Sequence, residues 1–401
     1  MANTLTLNQA VTVLNSLVSQ ELGIAGLTAT DTSSFVSVAQ TALLAGIDAI
    51  GQGITQVLDR TIFSTRPYYA KFPAMEKTNS EYGAFNRKIN YCDLPLVQDD
   101  GFNLTDGTSV DPWVIRKPDV IEMRYYGQSV VADHITRTEN QLKMAFRGPD
   151  EFGAFWAGVL QNLSNVHEQK TEAIARGVIA NAIGAIYDSS STTQIVHLLT
   201  EYNAILTAAG KTALTNVTVY DPDNYSDFMK WAYSRIQVAR DFMTERNTVF
   251  HLNVPNASKI ISRHTPYDRQ ILYMYAPELR QMEARVLSAA YNEGRLAYKS
   301  IELVNYWQSI DTPDSVDVYP VYIDADGAAY SPSTGGVPDH VQVSNVFALL
   351  VDDDAMGYTR YSDGMYSTPV NARARYQNWF YNWRWMSWTD FTEQMILFVL
   401  D

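Results

Sequence analysis

The stretch from Gly148 to Tyr187 constrains the fold more than any other part of the chain. Gly148 and Pro149 open it, and a proline near the first helical position forfeits no hydrogen bond. Asp150 and Glu151 follow, where the helix dipole favours negative charge. Phe152, Phe155, Trp156, Val159, Leu160, Leu163, His167, Ile174, Val178, Ile179, Ile183 and Ile186 then fall mostly at helical spacing. At about 1.5 Å per residue, the pattern predicts a rod of roughly 55 Å. Helices of that length are uncommon in compact domains, so the rest of the chain must be arranged along a spine.

What precedes the spine cannot stand alone. YGAFNRKINYCDLPLV (82–97) reads as an extended strand. QDDGFNLTDGTSVDP (98–112) is a loop dense in Gly, Asp, Asn and Thr, and WVIRKPDVIEMRYYGQSVVAD (113–133) returns as a second extended run. A polar hairpin of this kind buries too little apolar surface to be stable by itself and needs something outside it to lie on. Its tip is acidic (Asp99, Asp100, Asp106, Asp111) and its arms are basic (Arg87, Lys88, Arg116, Lys117, Arg124). Head-to-tail packing around a ring would set these unlike charges against each other. The plainer reading is a solvated loop with ordinary surface charges. Residues 5–62 read as helical. Leu14, Leu17, Val18 and Leu22 form one apolar stripe, and Phe35, Val38, Leu43, Leu44, Ile47, Ile50, Ile54 and Leu58 form another, capped at its start by Asp31 and Thr32. No Lys or Arg precedes Arg60, so this arm should also pack on a neighbour, within the chain or across chains.

Residues 195–365 alternate strand and helix patterns, predicting a mixed α/β unit. NVTVYDP, NTVFHLNVP, SIELVNYW, DSVDVYPVYID and VSNVFALLVD read as strands. YSDFMKWAYSRIQVARDFMT reads as an amphipathic helix, and ILYMYAPELRQMEARVLSAAYNEG as a helix broken near its start by Pro277. The last segment concentrates aromatic residues. Trp379, Tyr381, Trp383 and Trp385 alternate with Phe380, Asn382, Arg384 and Met386, a period of two that predicts a strand with large aromatics on one face. Phe391 to Val399 follows as a second strand.

The chain's 401 residues allow two or three domains or one large irregular one, and 46% apolar residues fit a core-forming protein. The net charge of −14 argues against holding nucleic acid by charge neutralisation, which needs clustered Lys and Arg. Cys92 is the only cysteine, which excludes an internal disulfide and any multi-cysteine zinc site. The N-terminus MANTLTLNQAV has no signal-peptide pattern and no apolar run is long enough for a membrane span, so the expectation is a soluble chain kept in a cytoplasm.

No catalytic set emerges. The six histidines are scattered, and His167 on the apolar side of the spine reads as a satisfied structural histidine rather than a ligand. Asp324-Ala-Asp326-Gly327 after a strand reads as a hairpin turn, and Asp221-Pro-Asp223 as turn chemistry, rather than metal loops. No cofactor or metal is expected. A carbohydrate-active enzyme with paired carboxylates and stacking tryptophans is an alternative. Against it, half of the tryptophans sit in one terminal segment, where a buried or interface-facing strand explains them more simply. The aromatic seam expected there joins Trp156, Trp379, Trp383 and Trp385 to the spine and the hairpin base.

The order of these parts, with FALLVDDDAMGYTRY (347–361) leading into YQNWFYNWRWMSWTDFTEQMILFVLD (376–401), resembles the major capsid proteins of tailed double-stranded-DNA bacteriophages. It looks most like the compact shell proteins of small podoviruses. The resemblance implies an α+β fold of the Hong Kong 97 type. Residues 1–62 would be an N-terminal helical arm and 63–135 an extended loop with flanking strands, its hairpin overlying the adjacent subunit. Residues 136–194 would hold the spine helix of a peripheral domain, 195–365 an axial domain and 366–401 the C-terminal strands of the peripheral domain. It further implies hexamers and pentamers of a DNA-enclosing shell, portal and scaffolding partners, assembly in the host cytoplasm and no membrane. An encapsulin-like compartment with protein cargo is the nearest rival.

Overall fold

The computed structural model describes residues 68–77, 86–93, 105–107, 109, 113, 115, 117, 120–125, 128–138, 149–189, 193–251, 261–287, 300–323 and 329–401. The arm expected at 1–62 lies outside them.

Two strands form the hairpin, β1 (Asn86–Tyr91) and β2 (Val120–Tyr125). They pair antiparallel with Asn86 opposite Tyr125 and Tyr91 opposite Val120. The chain continues through β3 (Gln128–Thr138) into helix α1 (Pro149–Asp188), whose 40 residues coincide with the spine pattern. Then come β4 (Ile195–His197), α2 (Leu198–Ala208), α3 (Pro222–Thr244), β5 (Gln270–Tyr275), α4 (Ala276–Met282), β6 (Ser300–Val304) and β7 (Val316–Val318). Two small antiparallel pairs follow, β8 (Tyr322–Ile323) with β9 (Ala329–Tyr330) and β10 (Ser333–Thr334) with β11 (Val337–Pro338). The chain ends with β12 (Val341–Val343), β13 (Val346–Asp352), β14 (Met356–Ser367), β15 (Tyr376–Thr389) and β16 (Met395–Val399).

The main sheet has the order β4-β16-β13-β5-β6, antiparallel at its centre and parallel at both edges. Alternate side chains go to opposite sides of it. Tyr273, Leu349, Leu397 and Val399 pack with Ile179, Ile183 and Ile186 of α1. Leu272, Met274, Leu350, Ile396 and Phe398 pack with Phe228, Met229 and Ile236 of α3. Each such side chain contributes about 1.5–3 kcal/mol by leaving water. A second sheet, β14-β15-β3, lies against the earlier part of α1.

The structure differs from the sequence reading in four places. NVTVYDP is no strand, because Thr218–Tyr220 forms a 3-10 turn feeding α3 with Pro222 in its first turn. Asn247–His251 is bridged and bent rather than a strand. Gln270–Tyr275 is strand β5 rather than the start of a helix, and Pro277 opens α4 instead of breaking it. Residues 366–401 are not one unit. β15 pairs with β14 and β3, whereas β16 enters the main sheet, because its unbroken MILFV run needs cover on both faces. The boundary expected at 365 therefore falls inside β14. The Asp324–Gly327 turn lies outside the described residues, although its flanking strands β8 and β9 do pair antiparallel.

Candidate functional site

β1 carries two chemistries on its two faces. Lys88 and Asn90 point into the molecule, and Arg87, Ile89 and Tyr91 point out. Lys88 Nζ sits 2.6 Å from Asp390 Oδ2 and 2.6 Å from Glu393 Oε1, in the corner between β15 and β16. Arg263 lies 3.3 Å from the same Glu393 oxygen, and it donates to Asn90 Oδ1 (2.7 Å) and to the Thr392 carbonyl (3.1 Å). Just beyond β1, Asp93 accepts from the Ser262 amide (2.9 Å) and pairs with Arg246. Burial alone would lower the Lys88 pKa, but Asp390 and Glu393 together hold it above its usual value. Burial likewise raises the Glu393 carboxyl, against the pull of Lys88 and Arg263. The hairpin thus hangs from the body on a half-buried ionic clamp.

A second anchor escaped the sequence reading. In residues 68–77 the Phe72 side chain is buried against Tyr273, with its backbone in the left-handed region at φ 68°. That conformation is uncommon for a bulky residue and holds here because the packing fixes it. The Ala70 amide donates to Glu168 (2.9 Å) and the Tyr68 hydroxyl to Glu172 (2.6 Å), both on α1. Lys77 pairs with Asp353 at 2.6 Å, and Arg269 lies 2.9 Å from Asp352 and 2.5 Å from Asp354. Each carboxylate of the Asp352–Asp354 run therefore meets a cation, two of them sharing Arg269. Only the sequence's Phe-Pro step hinted at this strap.

The terminal aromatics meet the spine. Trp379 and Trp385 are both 1% exposed, while Trp383 is half-buried. Trp385 Nε1 donates to Thr171 Oγ1 of α1 at 3.1 Å, and Trp379 Nε1 donates to Gln377 at 2.9 Å. His167 packs against Trp383 at 4.5 Å and Trp385 at 6.2 Å between ring centroids. It is structural but not satisfied, since neither ring nitrogen has a hydrogen-bond partner. Asp133 lies 3.8 Å away, but burial outweighs its attraction and pushes the imidazole pKa down to about 4, so His167 is neutral. Asp133 pairs instead with Lys170. A cleft of about 790 Å³ lies between the seam and the hairpin, lined in part by Ile121, Met123, Val178, Tyr322, Trp385 and Phe391.

Of the residues expected at inter-subunit contacts, Arg87, Asp106 and Lys117 are exposed. Lys88 is turned inward by the clamp and is half-buried. Asp99, Asp100 and Arg116 lie outside the described residues, as does the side chain of Trp156. Among the described residues no group of three His, Cys, Asp or Glu side chains could hold a metal ion, and no helix is long and apolar enough to cross a membrane. Cys92 is buried.

Among curated proteins none matches this chain. Solved structures do. A chain in the capsid structure of Staphylococcus phage Andhra superposes with a TM-score of 0.55 at 10% identity, covering 85% of this chain and 86% of that one. A chain in the structure of head fiber and inner core protein gp22 of native bacteriophage P68 gives 0.54 at 10% identity, covering 84% and 86%. At such identities the likeness speaks for the fold, a mixed helix-and-sheet architecture found in phage capsids. The sequence pattern of one family, described as Phi29-like phage major capsid protein, matches residues 57–399, and the chain therefore belongs to that family and is a structural protein of a phage shell.

Proposed function

We propose that copies of this chain build an icosahedral head around a double-stranded DNA genome, in the Hong Kong 97 arrangement. The observation that carries this reading is the β1–β2 hairpin. Among the described residues its inward face is fixed to its own chain, while Tyr91 on its outward face is 72% exposed. Two strands with Ile89, Tyr91 and Val120 exposed to water beside the Arg87, Glu122 and Arg124 charges are marginal alone, and an adjacent subunit would cover them.

In this arrangement α1 with the β14-β15-β3 sheet forms the peripheral domain, and the doubly covered main sheet, including β16, forms the axial domain. The axial domains of hexamers and pentamers meet around their axes. Trp379, Trp383 and Trp385 hold the spine to the peripheral sheet, with Trp156 farther along the same helix. Arg87, Asp106 and Lys117, with Asp99, Asp100 and Arg116, face neighbouring copies. The chain has no catalytic role of its own. Portal and scaffolding proteins complete the head, which assembles in the host cytoplasm. The net charge of −14 suits a DNA container, since a wall that gripped phosphate would hinder packaging and release.

The test is the content of the particles. Heads purified from infected cells and treated with nuclease should release protected duplex DNA on denaturation. Particles filled with protein and free of DNA would instead favour the encapsulin-like compartment.

A further inference from the structure

The Lys88 clamp contains more than an ion pair requires. Asp390 follows β15 and turns the chain toward β16 by bonding its own side chain two residues on. Its Oδ1 accepts from the Thr392 amide (2.9 Å) and from the Thr392 hydroxyl (2.6 Å). The Asn90 side-chain amide (3.3 Å) and Arg263 (3.4 Å) both donate to Thr392 Oγ1, which turns that hydroxyl's own hydrogen toward Asp390. Oδ1 therefore faces two fixed donors. Oδ2 does not. It is fully buried, and although Lys88 Nζ stands 2.6 Å away, the contact lies outside hydrogen-bond directions and leaves Oδ2 without a partner. The same nitrogen donates to Glu393 Oε1 at 2.6 Å.

A buried carboxylate oxygen with no hydrogen bond costs folding energy, and an ion pair of this geometry recovers little of it. Lys77 and Asp353 show the ordinary case. Their separation is also 2.6 Å, but the lysine there donates a directed hydrogen bond and the carboxylate reaches water. At Asp390 the arrangement suits a different outcome. An amine touches one oxygen of a dry carboxyl, two donors hold the other, and a second carboxyl touches the amine. Loss of Oδ2 as water would remove both the unpartnered oxygen and the buried charge.

We propose that Lys88 and Asp390 close an amide bond within one chain, with Glu393 moving the protons. The ion pair is the state before the bond forms, and no second copy takes part. At rest Lys88 is an ammonium, and burial raises the Glu393 carboxyl, which makes it able to take up a proton. Glu393 takes one proton from Lys88 and passes it to Oδ2, so the amine meets a carboxylic acid. The nitrogen lone pair bonds to Cγ while Oδ1 takes up the negative charge under its two donors. Glu393 carries a second proton from the nitrogen to Oδ2, the Cγ–Oδ2 bond breaks and water leaves. The third proton stays on the amide nitrogen. Nothing is oxidised or reduced, and no co-reactant is needed. Contact between the reacting groups replaces a bimolecular encounter, and exclusion of water protects the product. The bond would root β1 in the corner between β15 and β16 and, unlike the ion pair, would not weaken in salt.

Mass spectrometry of the denatured full chain reads the bond directly. The chain should be lighter than its sequence by one water. Digestion and fragmentation should then yield a branched peptide joining Lys88 to Asp390. Lys77 and Asp353 should appear unlinked in the same digest, which controls for dehydration during handling. Full sequence mass, in the free chain and in purified heads alike, would overturn the proposal. A branch from Lys88 to Glu393 would overturn Asp390 as the acceptor.

Two variants separate the roles. Lys88→Arg keeps a cation in the clamp without the reactive amine and should stay at full mass. Glu393→Gln keeps the shape of the relay and removes its basicity, so the bond should form about a hundred-fold more slowly or less completely. Linkage as fast in Glu393→Gln as in the wild type would take Glu393 out of the reaction. Loss of water in Lys88→Arg would place the dehydration elsewhere and overturn the assignment to Lys88.

Discussion

β15 and β16 are separated by only a short corner, yet they enter sheets built on different terms. β16 reads MILFV, and all five residues are buried, alternately against α1 and α3. β15 places Trp379 and Trp385 toward the spine, with Phe380, Asn382 and Arg384 half-buried between them on the other side. The strand β3 paired with it leaves Val130 62% exposed. A strand covered on both faces has to be apolar at every position. A strand covered on one face need be apolar only at alternate positions. The main sheet can therefore be complete within one chain, whereas the three-stranded sheet and the hairpin each leave one side in water.

The comparison is broken most directly by removing one large side chain from each sheet. Phe398→Ala and Trp385→Ala should each cost about 3–5 kcal/mol, since both side chains are almost wholly buried. Trp383→Ala should cost roughly half as much, because its ring is only half-buried. Denaturant midpoints of the unassembled chains would measure all three, provided the slopes stay equal. If Trp383 costs as much as Trp385, the one-sided account of β15 is wrong.

The same contrast explains what the sequence could reveal. The 40-residue α1, the alternating aromatics of β15 and the paired hairpin arms all follow from local periodicity or turn chemistry, and those are written along the chain. β5 was misread because QILYMYAPELRQ carries apolar residues at both strand and helix spacing, and only its pairing with β13 and β6 decides. The strap at 68–77 and the Lys88 clamp were hidden for a different reason. Their partners lie about a hundred to three hundred residues away, and an ion pair between distant segments leaves no local pattern. The charged arms drew attention to Lys88, but its inward direction depends on the corner at Asp390.

The clamp offers a sharper test of how separable the two parts are. Lys88→Met keeps most of the side-chain volume and removes the charge that Asp390 and Glu393 face. Asp390 is fully buried, so the change leaves carboxylates without their main cation. The expected loss is about 2–3 kcal/mol, below the figure for a fully buried pair because Lys88 is itself partly exposed. Its effect should be local. Hydrogen exchange should accelerate in β1 and β2 while the amides of β13 and β16 stay protected. Faster exchange throughout the main sheet would mean that the hairpin and the body form one cooperative unit.

The smallest effect concerns pH and belongs to the one-sided sheet alone. His167 sits between α1 and β15, facing Asp133 of β3, with Lys170 and Glu168 on its own helix and Arg360 on β14 nearby. Burial lowers its pKa from 6.5 to about 4. The unfolded chain therefore takes up a proton below about pH 6.5 that the folded chain refuses until about pH 4. Acidification favours the unfolded state across that window, by roughly 1.4 kcal/mol per pH unit. Carboxylates titrate over the lower part of the same range, so the useful quantity is a difference. Unfolding free energies of the wild type and His167→Gln, compared at pH 7 and pH 5.5, should converge or cross as the pH falls, because glutamine has no proton to take up. Parallel pH profiles would mean that the folded chain takes up the proton as readily as the unfolded one, and a wild type that gains on the variant as the pH falls would mean an imidazolium paired with Asp133.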